Sequence, residues 1–220
     1  MLSEDRFLWM FNLALTGLLN AVGLRTAKRY QEAMDVIQHT LEEFFGLDID
    51  VLNQVDDTSL LESMRQEGEL DLERVAMAAD LFREAGILYT TQNRPLEAQT
   101  NKVRALYFCL EVVLYSEGEI PEELCEKIEE LYAALGIKQV SMETQLSLYY
   151  YFDRQGNYRE AQTALNELLL NDQLQEEMIE EGLEFYERLL GKSNQELEAG
   201  GITRGEVEEG VRRLSRKIRT

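Results

Sequence analysis

Residues 156–168 read Gly-Asn-Tyr-Arg-Glu-Ala-Gln-Thr-Ala-Leu-Asn-Glu-Leu, and this stretch indicates the fold more specifically than any other part of the chain. Tyr158 opens a predicted helix, and a small residue, Ala161, follows three places later. The segments 28–33 and 93–98 repeat this arrangement, with a ring-bearing residue placed three positions before an alanine. A pattern that recurs along a chain is typical of proteins built from repeated helical hairpins.

The helices that precede the second and third segments carry large and small residues at matching places. These are Phe82, Ala85, Gly86 and Tyr89 in one helix, and Leu148, Tyr149 and Phe152 in the other, with Ala105, Leu165 and Leu168 on the helices that follow. Together they resemble tetratricopeptide repeats, in which such residues interlock between two antiparallel helices. The three alanines are 65 and 63 residues apart, about twice the ~34-residue period of that repeat. The resemblance therefore implies degenerate copies between them.

The layout of the whole chain also resembles an uncharacterised family of bacterial proteins with tetratricopeptide-like helices. That likeness implies a bacterial origin and no known activity. Only two prolines occur, and leucine, glutamate and alanine are abundant, which favours helix over strand. The sequence predicts an all-α fold of antiparallel helical hairpins, arranged as a tetratricopeptide-like right-handed superhelix or bundle. We expect no strands, and main helices over 4–22, 28–45, 71–92, 95–116, 121–135, 140–154, 158–170, 173–190 and 203–219.

Short connections between these helices predict a single all-α domain over 1–220. Its parts are a first hairpin (1–45), a crossover region with two short helical pieces (46–70), a repeat-like hairpin (71–116), a group of helices (121–190) that includes a repeat-like hairpin (142–170), and a capping helix (203–219). Serine or threonine followed three places later by glutamate predicts capping boxes. These pairs begin at Ser59, Ser193 and Thr203.

The charge of the chain bears on its partners. Forty-two acidic and 22 basic residues give a net charge of −20, which disfavours nucleic acid and anionic lipid surfaces as partners. Two cysteines in 220 residues do not form a disulfide framework and suit the cytoplasm. Helix 4–22 is apolar except for a polar stripe at Asn12, Thr16 and Asn20. We expect this helix to be buried on most sides, with membrane anchoring or a homodimer contact as the alternatives.

The sequence offers no catalytic residue, cofactor site or metal site. The single histidine, His39, has no recognisable partner for a catalytic triad, and no glycine-rich phosphate loop is present. The acidic residues near 48–57 lack the spacing of a calcium loop. We therefore predict that the protein is not an enzyme and has no cofactor.

The tetratricopeptide resemblance implies a concave groove lined by first-helix residues. Its candidate residues are Arg83, Glu84, Ile87, Thr91, Glu143, Ser147, Tyr150 and Arg154. Such a groove predicts a module that binds a protein or peptide. The alternative is a cytoplasmic regulator that binds a small molecule or signalling peptide between its helices. In the C-terminal helix, Val207, Val211, Leu214 and Ile218 form an apolar stripe opposite several arginines, which predicts a cap on the fold.

Overall fold

The computed structural model describes residues 2–118, 120–170 and 175–217, with the side chains of 8–118, 120–170 and 176–217. Over these residues the fold is all-α, as predicted, apart from one small hairpin. The helices are α1 (Leu2–Thr26), α2 (Tyr30–Phe45), α3 (Ile49–Leu52), α4 (Asp57–Glu62), α5 (Leu72–Thr91), α6 (Pro95–Tyr115), α7 (Glu122–Leu135), α8 (Met142–Arg154), α9 (Tyr158–Leu168), α10 (Gln175–Leu190), α11 (Asn194–Ala199) and α12 (Arg204–Lys217). A single 3₁₀ turn, Ile137–Gln139, precedes α8.

The chain divides into two compact units, Met1–Gly136 and Ile137–Thr220. The single domain over 1–220 stays a prediction. In the first unit, α1 pairs with α2 and α5 pairs with α6, while α1 and α2 also pack on α5 and α7 packs on α6. The ring of Phe82 on α5 is buried, and its centroid lies 5.7 Å from that of Phe45 on α2 and 5.9 Å from that of Phe108 on α6. The core of this unit therefore lies between the two helical hairpins.

The crossover between these hairpins differs from the prediction in two details. Strands β1 (Arg65–Gln66) and β2 (Glu69–Leu70) form an antiparallel hairpin, although no strand was expected. Glu67 and Gly68 both have positive φ, which matches the two-residue turn that glycine favours in such hairpins. The capping box predicted at Ser59 is wrong, because the carboxylate of Asp56 caps α4 by accepting from the Ser59 amide at 2.8 Å.

The three hairpin segments noticed in the sequence share one turn geometry. Lys28, Asn93 and Gly156 each occupy the middle of a three-residue turn, with φ of 61°, 57° and 72°. The residue after each of them donates its amide to the carbonyl five residues earlier, at 2.9, 3.0 and 2.9 Å. The alanine that follows in each segment (Ala33, Ala98, Ala161) is buried. The sequence similarity of these segments therefore corresponds to a repeated local structure.

We predict that Lys28→Gly stabilises the protein, by about 0.5–1 kcal/mol, because an L-residue with a side chain is strained at positive φ. The reverse change, Gly156→Ala, should lower stability by a similar amount, because it places a side chain at a φ of 72°. Backbone strain is the only cost, since the added Cβ contacts only Tyr158, at ordinary van der Waals distance. Urea unfolding followed by circular dichroism measures both changes. Equal stability of Lys28→Gly and the wild type would contradict this account of the turn.

Helix α1 is not buried on most sides, which corrects the prediction made for 4–22. Ala14 and Ala21 are fully buried, and Gly17 lies against Thr40 of α2. The opposite face exposes Leu8, Trp9, Leu15 and Leu19 by 55%, 56%, 37% and 63%. The reason is that α1 packs on α2 and α5 through one side only. Among the described residues, no helix is long and apolar enough to cross a membrane.

The second unit contains the α8–α9 hairpin, and α10 packs on α12. The capping box at Ser193 is present at the start of α11, and the one at Thr203 is present because its amide donates to Glu206 at 2.8 Å and its hydroxyl accepts from the Glu206 amide at 3.3 Å. In α12, Val207 and Leu214 are fully buried. Ile218, predicted to extend this stripe, lies outside the described residues.

Candidate functional site

An open cleft of about 770 Å³ lies in the second unit, where α8 and α10 end. Its walls come from the end of α8 and the turn after it, from the end of α10, and from α11. The lining residues are Asp153, Arg154, Gln155, Gly156, Tyr158, Arg188, Leu189, Gly191, Lys192 and Glu196. Three cations and two carboxylates give the lining a net positive charge of one, in a chain whose net charge is −20. The cleft is thus a local exception to the acidity of the protein.

The inner wall of the cleft is held by a polar network. The guanidinium of Arg188 donates to the carboxylate of Asp153 at 2.5 Å, which ties α10 to α8. One turn before Asp153, the buried Tyr149 donates its hydroxyl to Glu181 at 3.0 Å. Burial, and secondarily the Glu181 carboxylate, hold the pKa of Tyr149 far above its usual value. Tyr149 therefore remains a hydrogen-bond donor at physiological pH, and the end of α8 is fixed against α10.

The rim of the cleft carries the cations Arg154 and Lys192 and the exposed carboxylate of Glu196, whose Oε1 lies 4.0 Å from the Lys192 ammonium. Lys192 follows α10, and its ammonium lies 5.6 Å from the centroid of the Tyr158 ring. A hydrogen bond to Tyr158, with the negative charge of Glu196 as a weaker contribution, raises the pKa of Lys192. Arg154, the last residue of α8, is exposed. Cations at the carboxyl ends of helices are stabilised by the helix dipole, and both residues occupy such positions, Arg154 at the end of α8 and Lys192 just after α10.

The structure places the four predicted groove residues of this unit on α8. Tyr150 and Arg154 are exposed and one turn apart, and Arg154 lines the cleft. Glu143 is exposed near the start of the helix. Ser147 is buried, so the prediction that it lines an open groove is wrong. Burial, and secondarily Glu181, raise the pKa of Tyr150, which keeps its hydroxyl protonated beside the cleft.

The four predicted residues of the first unit lie on α5 and do not line an open groove together. Glu84 is buried and accepts from Arg25 of α1 at 2.5 Å. Arg83 pairs with Glu130 of α7, Ile87 is half-buried, and Thr91 is exposed. The prediction for Glu84 is wrong because α1 covers the face of α5 that a repeat-like register would leave open.

The histidine and the cysteines of the described residues lie outside the cleft. They contain no group of three or more histidine, cysteine, aspartate or glutamate residues that could hold a metal ion. His39 is exposed on α2. Cys109 is buried, and desolvation, helped by the charge of Asp80, raises its pKa to about 12. A thiol that stays protonated is a poor nucleophile, and the lining of the cleft includes no serine, cysteine or histidine.

Sequence reasoning did not find Arg188, Lys192 or Asp153. A weak signal was present, since Arg188 and Lys192 flank a predicted helix end at Gly191, where cations and a glycine commonly occur for structural reasons. Those residues become a site only when α10 packs beside α8, some 35 residues away along the chain.

Fold and cleft together define an all-α, helical-hairpin protein with an open polar cleft. The chain belongs to the Family of unknown function (DUF6483), whose model matches residues 31–219. No curated protein and no solved structure matches the chain. The match includes most of both compact units and leaves all of α1 outside it.

Proposed function

We propose that the protein is a non-enzymatic module that binds an acidic segment of another protein or peptide in the cleft at the ends of α8 and α10. The observation that carries the proposal is the net positive charge of the cleft lining, with Arg154 and Lys192 at its rim, in a chain whose net charge is −20. Arginine offers paired donors to a carboxylate and lysine adds a mobile charge.

Chemistry and shape support a peptide as the ligand. The exposed side chains of Tyr150 and Arg154 follow one another along α8, so an extended chain anchored at the cleft can continue across the tyrosine ring. Small-molecule sites are usually enclosed and largely apolar, whereas this cleft is open and rich in charge. The alternative, a cytoplasmic regulator that binds a small molecule or signalling peptide between its helices, is therefore the weaker one.

The hairpin turns shared by 28–33, 93–98 and 156–161 support a further part of the proposal. We take these hairpins to be degenerate units of the tetratricopeptide kind, in which buried alanines let two helices approach closely. Proteins of that architecture commonly present binding surfaces rather than catalytic groups. The paucity of cysteine in the sequence suits a cytoplasmic setting.

The experiment measures the binding of fluorescent peptides by fluorescence anisotropy. Three sets of peptides of equal length are compared: one acidic, one basic and one uncharged. We expect the acidic set to bind, and Arg154→Glu and Lys192→Glu each to weaken that binding about 10-fold, which corresponds to about 1.4 kcal/mol. Arg212→Glu is the matched control, because Arg212 is exposed on α12 outside the cleft.

Repeating the same assay at several salt concentrations separates local contacts in the cleft from the long-range repulsion between the chain and an acidic peptide. The net charge of −20 repels acidic peptides at a distance, and a screening length of about 10 Å at 0.1 M salt removes much of that repulsion. Binding by none of the three sets, or equal binding by wild type and the two cleft variants, would contradict the proposal.

A further inference from the structure

The exposed face of α1 has the spacing of a coiled-coil seam. Leu8, Asn12, Leu15, Leu19, Val22 and Thr26 follow one another at alternating intervals of four and three residues. All of them are exposed except Val22, which is half-buried. Apolar residues at this spacing form the stripe along which two helices pack with interlocking side chains. The stripe is on the side of α1 that faces away from α2 and α5, so its own unit leaves it uncovered.

The position of Asn12 in this seam bears on the register and the number of helices that would pair. In two-stranded coiled coils, a single asparagine among apolar seam residues fixes the register and the number of strands, because it pairs with its counterpart in the other helix. Asn12 lies between Leu8 and Leu15 in this manner. Trp9 flanks it and is more than half exposed, and a large aromatic side chain of this kind is typical of the centre of protein interfaces.

Charge indicates which partner this face accepts. Residues 7–24 include no ionisable side chain, whereas the complete chain carries 64 acidic and basic residues and a net charge of −20. A second copy of so acidic a chain is repelled over most of its surface. Contact through residues 7–24 of α1 brings no ionisable side chains of those segments together. A membrane surface is a poorer match, because interfacial helices usually carry lysine or arginine on their polar face, and Arg25 at the end of α1 is paired with Glu84.

We propose that two copies of the chain associate through the face of α1 formed by Leu8, Asn12, Leu15, Leu19 and Val22, packed in parallel as a two-stranded coiled coil with Asn12 facing Asn12. The same patch on both copies makes a two-fold symmetric interface. This inference does not depend on the cleft in the second unit or on what binds there.

The size of the seam determines how strong the association is. From Leu8 to Thr26 the helix is about 27 Å long and about 10 Å wide. The surface area that two such strips bury is at or below the low end for specific interfaces, which is about 1,200 Å² in total. We therefore expect a reversible dimer, with monomer and dimer exchanging across the micromolar range of protein concentration.

The test is sedimentation velocity on the full chain across that range. We expect dimer at high concentration, and Leu15→Glu with Leu19→Glu to weaken dimerisation at least about 100-fold, because four carboxylates would meet in the seam. Both leucines are exposed, so the melting temperature of the monomer, measured at low protein concentration, should change little. Leu96→Glu is the matched control, since Leu96 is 76% exposed on α6 of the same unit, and it should leave the dimer unchanged.

The direction and register of the two paired α1 helices are tested separately, by disulfide cross-linking. Asn12→Cys should cross-link as a disulfide under mild oxidation, because a parallel seam places the two thiols opposite each other. Thr100→Cys, exposed on α6, should not. Three results would overturn the proposal: a wild type that is monomeric throughout, a dimer that survives the paired glutamates, or a monomer that instead binds vesicles of neutral phosphatidylcholine through α1.

Discussion

Replacing Arg104 with methionine is expected to lower the free energy of unfolding by about 3 kcal/mol, since breaking a buried ion pair leaves a charge and hydrogen-bond acceptors without a partner. Arg104 is 3% exposed on α6. Its guanidinium donates to the Asp57 carboxylate at 2.6 Å and to the Val55 carbonyl at 2.8 Å, and it lies 4.9 Å from the centroid of the Phe82 ring. One side chain thereby fastens the crossover between the hairpins to the core of the first unit.

The matched control is Arg29→Met, which removes an exposed arginine paired with Glu32 three residues away. Surface pairs of this kind contribute less than about 1 kcal/mol, so this variant should unfold close to the wild type. Urea titration followed by circular dichroism compares the two variants. A loss below about 1 kcal/mol for Arg104→Met would mean that its bonds are replaced by water without cost, contrary to this account.

Replacing Gly210 with alanine should destabilise the second unit by about 2–3 kcal/mol, because a methyl group has no room where α12 meets α10. A Cβ at Gly210 would lie 2.4 Å from Cζ of Tyr186. Tyr186 is fully buried, and its hydroxyl accepts from Gln162 at 3.0 Å. The ring is therefore held from both ends and cannot turn away, so α12 itself must move.

Gly205→Ala is the control on the same helix. An added Cβ at Gly205 meets nothing within 4 Å, and alanine is the better helix former by up to about 1 kcal/mol. The same chemical change should thus stabilise the protein at position 205 and destabilise it at 210. Thermal unfolding of the two variants measures both signs, and the same sign at both positions would show that helix propensity, rather than contact with Tyr186, controls the outcome.

The two halves of the predicted groove show why the candidate site was found only in part. Tyr150 and Arg154 were predicted from the repeat register, and the structure places both on the exposed side of α8. Glu84 was predicted by the same reasoning, but α1 covers it and Arg25, 59 residues away, pairs with it. A register tells which residues share a face of a helix. It does not tell which neighbour covers that face.

Local chemistry in the sequence determined the helices, the capping boxes at Ser193 and Thr203, and the three similar hairpin turns, because these depend on residues a few positions apart. Even there, Asp56 replaced Ser59 as the cap of α4, since two good caps competed within four residues. Only the tertiary structure decided that α1 leaves Leu8, Trp9, Leu15 and Leu19 uncovered, and that Arg188 and Lys192 gather beside Arg154. Burial and the meeting of distant charges depend on which helices pack together, and that choice is made by the free energy of the folded chain rather than by any one segment.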